Sequence, residues 1–147
     1  MGTGPTLAGI RILVVDDEPD TLELECLVLE GQGAEVLCTD SAARALAAIP
    51  VFRPHVLISD IAMPGMDGCN FIAAVRERSN EEGGSVPALA VSAHASGDNR
   101  GRALRAGFDR FLAKPMDPAK LIETTVDLVA KGGGAAPRSS SSTGSGT

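Results

Sequence analysis

The sequence contains no tryptophan and no tyrosine, and its only aromatic residues are four phenylalanines. Proteins that bind single-stranded nucleic acids stack bases on aromatic side chains, and proteins that bind duplexes carry excess positive charge. This chain instead has 13 basic and 19 acidic residues, a net charge of -6 and a pI near 4.8. The composition therefore argues against direct binding of nucleic acid.

Long hydrophobic runs are also missing. The longest strongly apolar stretches, such as Ile12 to Val15, are far too short to span a bilayer. Residues 1–9 have no basic side chain and no apolar run, so they do not resemble a signal peptide. These absences predict a cytoplasmic protein whose domain makes no contact with a membrane.

Cysteines are few and follow no recognisable pattern. Cys26, Cys38 and Cys69 are odd in number, widely spaced, and form neither a CxxC motif nor a Cys–His pairing. We therefore expect free thiols in a reducing compartment, and no zinc site.

The length of 147 residues suits one domain that buries a core without help from disulfides or a structural metal. We assign residues 1–9 to an N-terminal extension and residues 10–131 to the folded domain. Residues 132–147 are rich in Gly and Ser and predict a flexible tail or linker. Whether this segment ends the protein or leads to a neighbouring domain stays open.

Short β-branched segments alternate with helical patterns along the domain. Between the first two strand candidates, Leu22, Cys26 and Leu29 recur at helical spacing after Pro19, and Ser41 is a candidate N-cap for the next helix, which we end at Ile49. The predicted strands are residues 10–15, 35–38, 55–59, 87–92 and 109–113. Strict alternation predicts an α/β fold, with a parallel sheet between two layers of helices.

Ligands of open parallel sheets bind beyond the carboxyl ends of the strands. Several polar side chains follow these ends: Asp16, Asp17, Glu18, Asp60, Ser92 and Lys114. Two carboxylates about 4 Å apart repel by about 4 kcal/mol at an effective dielectric of about 20, so their pKa values must rise or a cation must bind. A set of oxygen ligands suits Mg2+ better than zinc. A carboxylate beside Mg2+ and a lysine can attack phosphorus.

Four short motifs, in this order, resemble response-regulator receiver domains over roughly Ile10 to Lys131. They are Leu13-Val-Val-Asp-Asp-Glu18, Asp60-Ile-Ala-Met-Pro-Gly65 with Asp67-Gly68, Ala90-Val-Ser-Ala-His94, and Ala106-Gly-Phe-Asp-Arg-Phe-Leu-Ala-Lys-Pro115. The resemblance implies a flavodoxin-like, doubly wound sheet of five parallel strands in the order 2-1-3-4-5.

The same resemblance implies a phosphorylation site that contains a metal ion. Asp60 would be the phosphoacceptor. Asp17, Asp60 and the backbone carbonyl of Ala62 would bind Mg2+ directly, and Asp16 would position the metal through water. Mn2+ would be an acceptable substitute.

Three further residues acquire roles by resemblance. Lys114 would pair with the phosphoryl group, and its bond to Pro115 resembles the family's cis peptide. Ser92 and Phe111 match the family's switch pair, in which the hydroxyl moves toward the phosphate while the aromatic ring changes its packing. The output face would lie around the fourth helix, fifth strand and fifth helix.

The family's partners are signalling proteins. A histidine kinase or a histidine phosphotransfer protein would donate the phosphoryl group from a phosphohistidine. The domain would catalyse only its own phosphorylation and dephosphorylation, and would not be an enzyme acting on another substrate. Three contexts stay open: a stand-alone regulator, the receiver of a hybrid histidine kinase, and the N-terminal part of a larger regulator. A homodimer that forms on phosphorylation also stays open, and the output partner is not identified.

Other functions fit the residues less well. A phosphatase that forms an aspartyl phosphate would need a second Asp two residues after Asp60, where Ala62 stands. A nucleotide-binding enzyme would need a Gly-rich turn after the first strand, where the chain has Asp-Asp-Glu. The carboxylates would repel a flavin phosphate. A receiver-like interaction module that is never phosphorylated remains the main alternative.

Overall fold

A computed structural model describes residues 6–63, 65–94 and 96–132, so residues 1–5 of the predicted extension and 133–147 of the predicted tail lie outside it. Strands and helices alternate as β1 (Arg11–Val15), α1 (Pro19–Glu30), β2 (Glu35–Thr39), α2 (Ala42–Phe52), β3 (Val56–Asp60), α3 (Gly68–Arg76), β4 (Ala88–Ser92), α4 (Gly97–Ala106), β5 (Arg110–Ala113) and α5 (Pro118–Gly132). The five strands form one parallel sheet in the order β2-β1-β3-β4-β5, which confirms the predicted fold class.

The sheet separates two hydrophobic clusters. Along β1, Leu13 and Val15 belong to the cluster under α2, α3 and α4, while Ile12 and Val14 belong to the cluster under α1 and α5. Successive side chains of a strand point to opposite faces, so a strand that is apolar at every position is buried on both sides. None of the helices in the described part of the chain is long and apolar enough to cross a membrane.

Helix α2 is longer than the sequence suggested. Ser41 caps its N-terminus as predicted, accepting a hydrogen bond from the Arg44 N–H at 3.2 Å. The predicted end at Ile49 was wrong, because the helix continues through Pro50 and ends at Phe52. The chain then reverses at Arg53, whose φ of 55° is left-handed and whose N–H bonds to the Ile49 carbonyl.

The prediction of free thiols was wrong for two of the three cysteines. Cys26 on α1 and Cys38 on β2 form a disulfide, and their Cα atoms lie 6.7 Å apart. Cys69 alone has a free thiol. Cys26 and Cys38 belong to no sequence motif. Their proximity arises from the packing of α1 alongside β2, so the sequence pattern did not predict the bond.

Arg76, the last residue of α3, links the loop before β4 to the loop before β5. Its guanidinium group donates to the carbonyls of Gly107, Gly84 and Val86 at 2.7–3.0 Å. It also forms an ion pair with Asp109 at 3.2 Å. These groups are largely buried, and hydrogen bonds to a charged, shielded donor contribute more than those at the surface.

Replacing Arg76 with alanine is therefore expected to lower the free energy of unfolding by about 2 kcal/mol, because shielded carbonyls lose a charged donor and Asp109 loses its ion pair with Arg76. Urea denaturation measures the change. Arg102→Ala is the matched control, since Arg102 pairs with Asp67 at 3.6 Å on the exposed surface. That variant should change stability by less than about 0.5 kcal/mol. Equal effects of the two substitutions would contradict the assignment.

Candidate functional site

Three carboxylates from distant parts of the sequence meet at the carboxyl end of the sheet. Asp16 and Asp17 follow β1, and Asp60 is the last residue of β3. Because β1 and β3 are neighbours, with Val15 beside Ser59, the three side chains converge. Their closest oxygens all lie within 4.8 Å of one another. Asp16 is 0% exposed and Asp60 is 4% exposed, so water screens their repulsion poorly.

Lys114 lies directly opposite these carboxylates. It follows β5, and its side chain is 8% exposed. Its ammonium nitrogen lies 2.9 Å from Asp16 Oδ2, 3.2 Å from Asp60 Oδ2 and 3.2 Å from Glu18 Oε1. The peptide bond between Lys114 and Pro115 is cis, as the sequence predicted. A single ammonium group therefore faces several carboxylates, and negative charge remains in excess.

The charges at this site shift one another's pKa values. Burial, followed by the negative charge of Asp16, raises the pKa of Asp60 to about 6, although Lys114 acts in the opposite direction. Burial by itself would lower the pKa of Lys114, but the hydrogen bond and charge of Asp16 outweigh burial and raise it. A hydrogen bond and the charge of Lys114 lower the pKa of Glu18. Lys114 is therefore a permanent cation at neutral pH.

The residues present fit a hard divalent cation. Asp17 Oδ1 is buried and has no hydrogen-bond partner within residues 6–63, 65–94 and 96–132. It belongs to the same group of carboxylate oxygens as Asp16 and Asp60. The predicted ligand Ala62 lies at this site too, because its N–H donates to Asp60 Oδ1 at 3.3 Å. Clustered carboxylate oxygens with excess negative charge match Mg2+, which takes few protein ligands and keeps several waters.

Glycine is required beside Asp60. The Gly68 N–H donates to the Ile61 carbonyl at 2.7 Å, which draws the start of α3 against the loop after β3. A Cβ atom at Gly68 would lie 2.7 Å from Ile61 Cα and closer still to the Asp60 carbonyl oxygen. Asp67 then caps α3, accepting from the Asn70 N–H at 2.8 Å. The Asp-Gly pair therefore shapes the loop that holds the site.

The two predicted switch residues lie in different surroundings. Ser92 ends β4, next to the strand of Asp60, and is buried. Its hydroxyl accepts from the His94 N–H at 3.0 Å and donates to the His94 carbonyl at 3.4 Å. Phe111 on β5 packs in the cluster under α2, α3 and α4. Its ring centroid lies 5.8 Å from the guanidinium carbon of Arg100 on α4.

Sequence reasoning missed Glu25 and did not foresee the contacts of Glu18. Glu18 was recognised as following β1, but its ion pair with Lys114 was not foreseen, nor was the bond from its N–H to Asp16 Oδ1 at 3.0 Å. Glu25 on α1 is buried, with 1% of its surface exposed. A signal for Glu25 did exist, because it stands at helical spacing between Leu22 and Leu29 on the apolar side of α1.

Comparison with known proteins gives a consistent result. A family model described as response regulator receiver domain matches residues 12–126. The chain is 46% identical over 117 residues to an uncharacterised 14.6 kDa protein of Leptolyngbya boryana, which covers 80% of this chain and 88% of that protein. It is also 36% identical over 117 residues to the sensor histidine kinase GacS of Pseudomonas protegens, covering 79% of this chain. The chain spans only 13% of GacS.

A solved structure shows the same fold. The receiver domain of the sensor histidine kinase PA1611 from Pseudomonas aeruginosa is 28% identical and superposes with a TM-score of 0.76. The match covers 84% of this chain and 99% of that domain. In that structure a magnesium ion is coordinated in the active site cleft.

Proposed function

Because this chain belongs to the response regulator receiver domain family, we propose that Asp60 is its phosphoacceptor and that a phosphohistidine is the donor. Receiver domains act in two-component signal transduction, and this chain shares that role. The observation that supports the assignment is the convergence of Asp16, Asp17 and Asp60 opposite Lys114. Asp60 is the carboxylate that ends the central strand β3.

The proposed reaction is a displacement at phosphorus. A carboxylate oxygen of Asp60 forms a bond to the phosphorus atom while the bond from phosphorus to the donor's imidazole nitrogen breaks. The bonding electrons stay on that nitrogen, which takes up a proton. With a pKa of about 6, Asp60 is mostly ionised at pH 7 and can act as the nucleophile. Lys114 would balance charge on the phosphoryl oxygens.

Mg2+ is the proposed cofactor, with Mn2+ as a substitute. Asp17, Asp60 and the Ala62 carbonyl would hold the ion, and Asp16 would act through water. When bound, the ion would neutralise charge on the transferring phosphoryl group. The free oxygen of Asp17 and the excess of carboxylates support this assignment. The magnesium ion in the PA1611 receiver supports it as well.

Phosphorylation would change the output face through Ser92 and Phe111. The phosphoryl group adds about two negative charges and three acceptor oxygens. The Ser92 hydroxyl now bonds within its own loop at His94, and would turn to the phosphoryl group instead. Repacking of Phe111, which contacts Arg100, would then move α4 relative to β5.

The proposed partners follow from the same reaction. A histidine kinase or a histidine phosphotransfer protein in the cytoplasm would be the donor, and the domain would catalyse only its own phosphorylation and dephosphorylation. Similarity to the 14.6 kDa protein of Leptolyngbya boryana is compatible with a stand-alone regulator. Similarity to part of GacS is compatible with the receiver of a hybrid kinase. The family match disfavours the phosphatase alternative. A homodimer formed on phosphorylation is a further proposal.

Incubation with acetyl phosphate and Mg2+ tests the proposal. We expect the intact mass of the protein to increase by one phosphoryl group, and EDTA to prevent the increase, because the excess of negative charge repels the donor when no cation is bound. Samples without acetyl phosphate control for modification during preparation. No increase in mass with Mg2+ present would favour the alternative of a receiver-like interaction module that is never phosphorylated.

A further inference from the structure

A cavity of about 280 Å³ lies between α1 and α5, beside the segment that carries Lys114. Most of its wall is hydrocarbon, contributed by Leu24, Val28, Met116 and Leu121. This volume is close to the lower limit for small-molecule sites, which are typically apolar clefts with a few polar groups that orient the ligand. The cavity is therefore large enough for a small organic molecule.

Glu25 also forms part of this wall. It is 1% exposed, and neither of its carboxyl oxygens has a hydrogen-bond partner in the described part of the chain. Burial and then the charge of Asp16 raise the pKa of Glu25 to about 8, although Lys114 lowers it. Lys114 is near enough to act on Glu25 through its charge, but it gives its hydrogen bonds to other carboxylates.

Buried carboxyl groups without partners are rare in native proteins, because each one loses its hydration and gains nothing in return. One explanation for such a group is an ion or molecule that binds there and completes the pairing. With a pKa of about 8, Glu25 is mostly protonated at pH 7, and a bound cation would favour its ionised form and donate a strong hydrogen bond to it.

We propose that this cavity binds a small organic cation, with its ammonium group paired to Glu25 and its hydrocarbon part against Leu24, Val28, Met116 and Leu121. The cavity adjoins the proposed phosphoacceptor site, because Glu18 and Lys114 line it, but binding of an organic cation goes beyond the proposed function. Rotation about the side-chain torsions of Glu25 is the movement that binding requires, because its oxygens are turned away from water.

Other ligand classes fit the cavity less well. A metal ion would need several oxygen ligands, and the wall is mainly hydrocarbon. Lys114 also lines the cavity, but its ammonium group is already paired with carboxylates, so an anion would gain little from it and would be repelled by Glu18 and Glu25. A neutral apolar molecule would fill the space but leave the carboxyl group of Glu25 unpaired. An organic cation satisfies both the apolar wall and the carboxyl group.

Calorimetric titration with hexylammonium chloride and with 1-hexanol tests the proposal on the full chain. The two probes have the same hydrocarbon chain and differ in charge. We expect hexylammonium to bind about tenfold more tightly than 1-hexanol. Amide NMR shifts at Met116 and Leu121 should place the bound probe in the cavity.

Glu25→Gln removes the charge and keeps the size of the side chain. We expect this variant to bind hexylammonium about tenfold more weakly and to bind 1-hexanol as the wild type does. Glu23→Gln is the matched control, because Glu23 is exposed on the same helix. Failure of hexylammonium to bind, equal affinity for both probes, an unchanged affinity in Glu25→Gln, or shifts confined to another surface would each overturn the proposal. None of these measurements depends on phosphorylation, so failure here leaves the proposed function intact.

Discussion

Asp60→Asn is expected to abolish phosphorylation by acetyl phosphate in the presence of Mg2+. The amide has nearly the same shape as the carboxylate, but it carries no charge and is a poor nucleophile. Intact-mass measurement should show no added phosphoryl group in the variant under conditions that label the wild type fully. The fold should survive, because the substitution removes one member of a repelling group of carboxylates.

Asp40→Asn is the matched control for this experiment. Asp40 follows β2 at the same edge of the sheet, but it is exposed and pairs with Arg44 at 3.7 Å. The Asp40→Asn variant should be phosphorylated as fast as the wild type. If Asp60→Asn were labelled like the wild type, another residue would be the phosphoacceptor and the assignment would fail.

The second large effect concerns Glu25 and its dependence on pH. The pKa of Glu25 is raised from 4.5 to about 8, mainly by burial. A raised pKa means that the folded state holds the proton more tightly than the unfolded state does. Stability from this group is therefore present below about pH 4.5 and is lost as pH rises toward 8.

Glu25→Leu removes this pH-dependent penalty. We expect the substitution to raise the free energy of unfolding by about 3 kcal/mol at pH 7, since each pKa unit corresponds to about 1.4 kcal/mol. The gain should grow between about pH 5 and about pH 8, which urea denaturation of both proteins at each pH would show. Comparing variant with wild type isolates Glu25 from Asp60, whose raised pKa contributes in the same direction.

Glu23→Leu controls for the added hydrocarbon on α1. Glu23 is exposed, so its replacement should change stability by no more than about 0.5 kcal/mol. Two results would show that Glu25 has a partner in solution that balances its charge. One is a Glu25→Leu variant less stable than the wild type, and the other is a gain in free energy of unfolding that is the same at about pH 5 and at about pH 8.

The fold class and the grouping of Asp16, Asp60 and Lys114 could be predicted from residue order. Strand and helix patterns depend on neighbouring residues, so the alternation along the chain was readable without any long-range contact. In a parallel sheet all strands end at one edge, and this rule alone brings Asp16, Asp60 and Lys114 together. Segment limits shifted by a few residues, as at Pro50, because the end of α2 depends on the reversal at Arg53.

The pairing of individual side chains could not be predicted in this way, because it depends on packing between distant segments. The Cys26–Cys38 disulfide depends on α1 lying beside β2, and the cavity depends on the gap between α1 and α5. Among the described residues Glu25 has no hydrogen-bond partner, because Lys114 bonds to Asp16, Glu18 and Asp60 instead. Pair distances depend on how separate helices and strands pack in three dimensions, and residue order does not specify that packing closely enough.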